Sequence, residues 1–206
     1  MCPGSRGPDE PATIGAMAIR KIAQLGEPVL RTRAQEVPIG DISTSRIQAL
    51  IDDMIETMRD ADGAGIAAPQ VYESLRICVI EVNQNPRYPQ FEPIPLLVLI
   101  NPVVRPASGT ADPPPGEGIS IYEGCLSVPG LRGRVRRPRR VRVSAYDRQA
   151  RAVELDWEGV KAAIVQHESD HLDATLFVDR ADPKTFVFLR EYERHVPLTG
   201  RVVDPS

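Results

Sequence analysis

Five consecutive residues constrain this chain more than any others: His167-Glu168-Ser169-Asp170-His171. The pattern H-E-x-x-H sets two imidazoles at i and i+4, one above the other on one helix face, where both can grip a single metal ion. Glu168 lies about 100° round the helix from His167, outside that pair but within reach of a water held by the ion. The spacing predicts such a helix. Asp156 is read as its N-cap and Glu158 as an acid of its first turn. Val160, Ala163, Ile164, His167 and His171 recur at helical period, on an apolar stripe expected to face the interior. A lone buried histidine is ordinarily a core residue satisfied by hydrogen bonds. Two on one stripe, with a carboxylate between them, fit a metal site better.

The rest of the chain reads as one domain with tails. Residues 1–16 are rich in proline and glycine and are expected to be a disordered tail, with Met17 as the real start. The domain is expected over 17–196, and residues 197–206 should fray. Ile47, Leu50, Ile51, Met54, Ile55 and Met58 form a helical stripe in a segment that turns helical from Asp41 and stops near Asp62-Gly63. Gly63-Ala64-Gly65-Ile66-Ala67-Ala68-Pro69-Gln70 is neither a P-loop nor a dinucleotide fingerprint. It is a glycine-rich connector, or a loop whose backbone approaches a ligand closely. Leu75–Val82 and Leu96–Ile100 read as strands, and 83–95 and 105–118 as long surface loops. Val141–Tyr146 and Ala152–Trp157 form a hairpin around Asp147-Arg148-Gln149. Asp182-Pro183 opens a short C-terminal helix containing Phe186, Leu189 and Val196, and His195 at its end is expected to be exposed.

Charge and cysteine content narrow the function. The formal charge of −3 gives no reason to expect direct DNA binding. The basic run from Arg132 to Arg142 is read as the exposed face of strands, with RNA contact at the ribosome as the sharper alternative. No apolar run approaches the roughly 18 residues of a membrane span, and no secretory signal is expected. Cys2, Cys78 and Cys125 are too few and too scattered for a disulfide framework. The expected setting is a reducing cytoplasm.

A catalytic site of this type takes three protein ligands and keeps one position open. H-E-x-x-H supplies two, and Leu172–Arg180 holds no third histidine. Glu191 and Glu193 are carboxylate candidates on the terminal helix. Cys125, in a glycine-flanked segment between strands, is the better one, and a thiolate with two imidazoles suits Fe(II) or Zn(II).

Three motifs now stand in order: Gly63 to Gln70, Glu123-Gly124-Cys125-Leu126-Ser127, and Gln166-His167-Glu168-Ser169-Asp170-His171-Leu172. Together they closely resemble the peptide deformylases, over about Met17 to Asp179. The resemblance implies an α+β fold: a central metal-binding helix packed among antiparallel β-sheets, with an N-terminal amphipathic helix and a short C-terminal helix. It implies Cys125, His167 and His171 as ligands of one divalent ion, most often Fe(II), replaceable by Zn(II), Ni(II) or Co(II). Glu168 matches the general base, and Gln70 and the Leu126 N–H match the oxyanion donors. Gly65 matches a residue that pairs with substrate backbone, and Arg132 one that lines the cleft. Ala64, Ile121, Val160, Ala163 and Ile164 are implied as the wall of a methionine pocket. The implied activity removes formate from the N-terminal formyl-methionine of nascent chains, in bacteria and organelles, with transient ribosome contact.

The chain departs from the pattern at Ala174, where the family usually has glycine, and in its two long loops. Its C-terminal helix is short and mixed in charge. The tail's acidic residues argue against a transit peptide, which favours a bacterial cytoplasm and leaves an organelle open. Two rivals remain at this point: another H-E-x-x-H metallohydrolase, such as a metallopeptidase, and a structural zinc module. The latter needs a fourth ligand that the sequence does not offer.

Overall fold

The computed structural model describes residues 18–83, 92–109 and 116–203. The expected tail at 1–16 and the proposed start at Met17 lie outside them, as do the central parts of both long loops. Helix α1 (Ser45–Asp60) buries Ile47, Leu50, Ile51, Met54, Ile55 and Met58, the stripe that its sequence carries. It begins four residues after Asp41, because Ile39–Asp41 close a separate 3-10 turn. It stops where Asp62 takes φ +51° and the Gly63 N–H donates to the Met58 carbonyl at 2.9 Å.

Strands β1 (Gly65–Ala67), β2 (Ile77–Val82) and β3 (Ile94–Pro106) follow, then β4 (Gly118–Cys125), β5 (Val128–Pro138), β6 (Arg140–Tyr146) and β7 (Ala152–Glu158). Helix α2 (Val160–Leu172) comes next, with the short α3 (Phe177–Arg180), β8 (Val187–Phe188), α4 (Leu189–His195) and β9 (Val202–Val203). Every pairing between these strands is antiparallel. One sheet runs β1-β2-β3-β6-β7 and the other β8-β5-β4-β9. The fold is α+β, as the resemblance implies.

α2 sits among these sheets with no fully exposed residue along its length. Ala162, Val165 and Leu172 pack with Ala67, Cys78, Ile80, Leu99, Val141 and Val143 of the five-stranded sheet. α1 covers another part of that sheet, with Ile66, Ile77, Val79 and Ile100. A third cluster joins Cys125, Val128 and Val135 of the second sheet to Leu176 and Phe177. The two sheets thus hold α2 from several sides, and burial of this much apolar surface fixes where its polar residues stand.

Four expectations change. Asp156 does not cap α2: β7 continues to Glu158, where alternate residues face solvent, and the Asp156 carboxylate accepts two hydrogen bonds from Arg140, at 2.8 and 2.7 Å. The N-cap is Gly159, at φ +67°, which a residue without Cβ adopts freely. β3 runs six residues past Ile100, because after a bulge Val103 to Pro106 pair with Ser144 to Val141. Asp182 accepts from the Lys184 N–H, yet the turn that it opens ends at Thr185, and α4 starts only at Leu189 with Tyr192 as its buried anchor. The fraying expected from 197 does not hold for 198–203, which form a turn and β9, paired to β4.

Candidate metal centre

The alternation of β4 turns Ile121, Glu123 and Cys125 inward and leaves Tyr122 and Gly124 on the other face. Cys125 ends the strand beside α2, which presents His167 and His171 one turn apart. The ligand atoms of these three residues lie within 4.8 Å of one another, and Cys125 Sγ is 3.2 Å from His171 Nε2. No other set of three such groups is gathered in this way among the described residues. Glu191 and Glu193 sit on α4 outside the cluster, Cys78 lies inside β2, and His195 is exposed beside Glu191. The four-ligand enclosure of a structural zinc site is therefore not built here.

The electrostatics fit a cation. Burial opposes charge on Cys125, yet the imidazoles of His171 and His167 hold its thiol well below the ordinary value. Burial likewise works against a charged His167, and the Cys125 and Glu123 side chains hold it well above its ordinary value. His167 Nδ1 meets Glu123 Oε2 at 2.8 Å, which leaves Nε2 for the cluster. A carboxylate behind a ligand imidazole fixes its tautomer and raises its basicity. Glu123 is gripped in turn by Arg137, which also donates to Asp170 at 2.9 Å; Arg180 donates twice more to Asp170, at 2.7 Å. Burial opposes charge on Glu123, but Arg137 outweighs it and holds the carboxyl down at about 2.

Glu168 has the opposite surroundings. Its side chain is buried against the Gly65 backbone, where an added Cβ would lie 2.4 Å from Oε1. Oε2 is buried with no hydrogen-bond partner, and burial pushes the carboxyl up to about 7. A buried acid poised near neutrality next to a cluster of metal donors suits proton transfer.

Gln70 is fixed by the Ala67 N–H, which donates to Oε1 at 2.8 Å. Its NH2 then points at Cys125 Sγ (3.4 Å) and Ser127 Oγ (3.1 Å). Leu126 occupies the turn directly after Cys125, with its side chain against Gly63. Arg132 lies across Gly124, where a Cβ would sit 2.0 Å from its Nη1. Val160, Ala163 and Ile164 occupy the N-terminal turns of α2, ahead of His167; Ile121 stands on β4, and Ala64 is exposed just before β1. Of the stripe expected to face the core, Ala163 and His171 are buried, whereas Val160, Ile164 and His167 are half-buried; Ala162, Val165 and Leu172, beside that stripe, are fully covered.

Glu123, Arg137 and Ser127 carry parts of this centre that sequence reasoning left unassigned. The signal for Glu123 was its i, i+2 relation to Cys125. For Arg137 it was a break in the arginine alternation at Arg136-Arg137.

Comparison with known proteins agrees with the geometry. The family model described as polypeptide deformylase matches residues 19–186. A peptide deformylase of Leptospira biflexa is 39% identical over 189 residues, covering 91% of this chain and all of that protein. Peptide deformylase 2 of Bordetella bronchiseptica is 43% identical over 163 residues, covering 79% of this chain and 87% of the relative. Among solved structures, the Met-Ala-Ser-bound class I type b peptide deformylase of Acinetobacter baumannii matches with TM-score 0.71 and 36% identity, over 80% of this chain and 99% of that one.

Proposed function

This chain belongs to the polypeptide deformylase family, and we propose that Cys125, His167 and His171 hold its metal ion while Glu168 carries the proton. The activity is metal-dependent removal of the formyl group from nascent peptides. One observation carries the residue assignment: three soft and borderline donors converge, with no fourth ligand among the described residues, beside a buried carboxyl whose Oε2 has no partner. That arrangement favours a hydrolytic centre over a closed structural site.

A divalent ion held there supplies Lewis-acid activation, lowering the pKa of water from 15.7 towards about 7. Fe(II) is the reading that we favour, with Zn(II), Ni(II) and Co(II) as substitutes, because one thiolate and two imidazoles suit these ions. Glu168 takes the proton of the attacking water and passes it to the departing amine, so that formate and a free N-terminus result. Gln70 Nε2 and the Leu126 N–H donate to the formyl oxygen as negative charge grows on it; one such donor is typically worth about 3 kcal/mol. Gly65 leaves room for the Glu168 carboxyl, since any side chain there would displace it. Arg132 covers the rim at Gly124. Val160, Ala163, Ile164, Ile121 and Ala64 form the apolar wall for methionine, whose flexible thioether suits such a site.

The substrate is a formyl-Met peptide, and the Acinetobacter relative's bound Met-Ala-Ser is the deformylated counterpart of one such substrate. We place the protein in the bacterial cytoplasm, with transient ribosome contact as its substrate emerges and no direct DNA contact; no described helix is long and apolar enough to cross a membrane. The test is anaerobic purification, metal analysis and formate release from formyl-Met-Ala-Ser on one sample, with Met-Ala-Ser as control. Stoichiometric iron and formate release without peptide cleavage are expected. Cleavage of Met-Ala-Ser, or a Cys125→Ala protein that keeps a tightly held ion, overturns the assignment.

A further inference from the structure

We propose that strand β9 sets how much of a substrate peptide this chain can read; the proposal rests on the assignment of the metal centre above. β4 is paired with β5 along one edge. Its other edge carries β9, with Ser120 opposite Val203 and Ile121 opposite Val202, and the Tyr122 N–H donates to the Arg201 carbonyl at 3.0 Å. Backbone groups of alternate residues face alternate edges, so Ser120 and Tyr122 face β9 and Gly124 is the next residue to face that way. Among the described residues, the registers place no strand on this edge beyond Tyr122. Gly124 thus stands alone between the start of β9 and the turn that follows Cys125.

A peptide whose formyl carbon lies at the Cys125, His167 and His171 donors has one course along this edge. The turn at Leu126-Ser127 blocks the way ahead, with the Leu126 side chain against Gly63. The peptide must run back from Cys125 towards Tyr122, antiparallel to β4. β9 is also antiparallel to β4, and its backbone contact begins with Arg201 at Tyr122. Substrate and β9 therefore lie end to end. Gly124 serves the peptide, Arg201 occupies the next place, and later residues must leave the sheet at the Leu198–Gly200 turn.

β9 is held firmly enough to act as a stop. Arg134 Nη2 donates to the Gly200 carbonyl at 3.5 Å, and the Arg201 guanidinium lies 4.9 Å from the ring centre of Tyr192. Tyr192, 1% exposed, meets Tyr122 edge-on at 5.3 Å, and Arg134 covers Tyr122 at 5.0 Å. The Arg201–Tyr192 contact and the Arg134–Gly200 bond oppose lifting of the segment, and the Tyr122–Tyr192 pair steadies the ring on which Arg201 rests.

The test is kcat/KM for formate release from formyl-Met-Ala, formyl-Met-Ala-Ser and versions extended by one to three residues. In the full chain the value rises to the tripeptide and then stays flat. In a chain lacking 198–206 the edge is open, and each backbone hydrogen bond gained by a longer peptide adds about fivefold. A continued rise in the full chain overturns the proposal. So does a flat profile in a truncated chain that still melts cooperatively. Should truncation abolish folding, the full-chain series decides alone. Failure of the full chain to release formate from any of these peptides overturns the metal-centre reading itself, a result distinct from either profile.

Discussion

Two glutamates flank the metal centre, equally hidden from water and held in opposite states. Glu123 is 8% exposed and Glu168 4%. Glu123 faces Arg137 and His167 and is held ionised, at about 2; Glu168 packs on the Gly65 backbone beside the cluster, with no guanidinium among the described residues against it, and burial pushes it up to about 7. Burial raises both, so burial does not separate them. A guanidinium does. Glu123 is a fixed anion that orients a ligand, whereas Glu168 can change its proton count near neutral pH, which makes it the one suited to chemistry.

The largest effect that this contrast predicts is on turnover. Glu168→Gln keeps the shape and removes the proton carrier, so kcat should fall by about 10²–10⁴, with the metal content unchanged. Formate release and metal analysis on the same preparation check this. Loss of the metal as well would mean that Glu168 supports the ligands and that the two glutamates do not differ in kind.

Arg137→Met tests the other side. It leaves Glu123 buried without its main partner, a change that typically costs about 3–5 kcal/mol, read as a fall in denaturation midpoint. Glu123→Gln should be milder for the fold but weaken the hold on His167; loss of an outer partner typically lowers metal affinity about 10–100-fold. Competition with a chelator measures it. If both variants bound metal like the parent, the chain from His167 to Glu123 and Arg137 would be packing alone.

The contrast also predicts opposite pH slopes for chelator-treated protein. Glu123 has a folded value, about 2, below its ordinary 4.5. Its contribution is present above 4.5 and is lost as pH falls towards 2, on the order of 3 kcal/mol in all. Glu168 has a folded value, about 7, above 4.5. Its neutral form favours the fold below 4.5, and that advantage is lost as pH rises to 7. Glu168→Gln should therefore remove the stability loss between pH 4.5 and 7, and Glu123→Gln the loss between 4.5 and 2. Chemical denaturation across pH reads both, and identical slopes in parent and variants would dissolve the contrast.

The sequence exposed one of these glutamates and hid the other for physical reasons. Glu168 belongs to a local helical pattern, and i, i+4 histidines have few other uses. Cys125 stood out through its flanking glycine and the need for a third donor. Glu123 acquires meaning only when β4 is known to face α2, which is a tertiary fact. Arg137 is hidden among seven arginines between 132 and 142, most of which alternate as an exposed strand face would. Asp156 misled because an acid before a helix and an acid on an exposed strand edge look alike locally. β9 has two residues, too few for any period, and its partner Ser120-Ile121 lies some 80 positions earlier.

The smallest predicted effect supplies the control for the comparison, because it concerns backbone and no carboxyl. Ala174 lies just past α2 at φ +60°, a conformation that glycine reaches without strain and alanine does not. The turn is nonetheless closed: the Thr175 N–H donates to the Asp170 carbonyl at 2.9 Å, and the Ala174 N–H to that of His171 at 3.3 Å. This is the left-handed ending that many helices use. The side chain therefore costs strain and contributes no bond that glycine would lack. Ala174→Gly should stabilise the fold by about 1 kcal/mol, the relief of strain exceeding the added freedom of the unfolded chain. Metal affinity, kcat and both pH slopes should stay as in the parent. A change in any of them would mean that the end of α2 is strung to its two histidines, and that the states of Glu123 and Glu168 depend on helix placement as well as on their immediate partners.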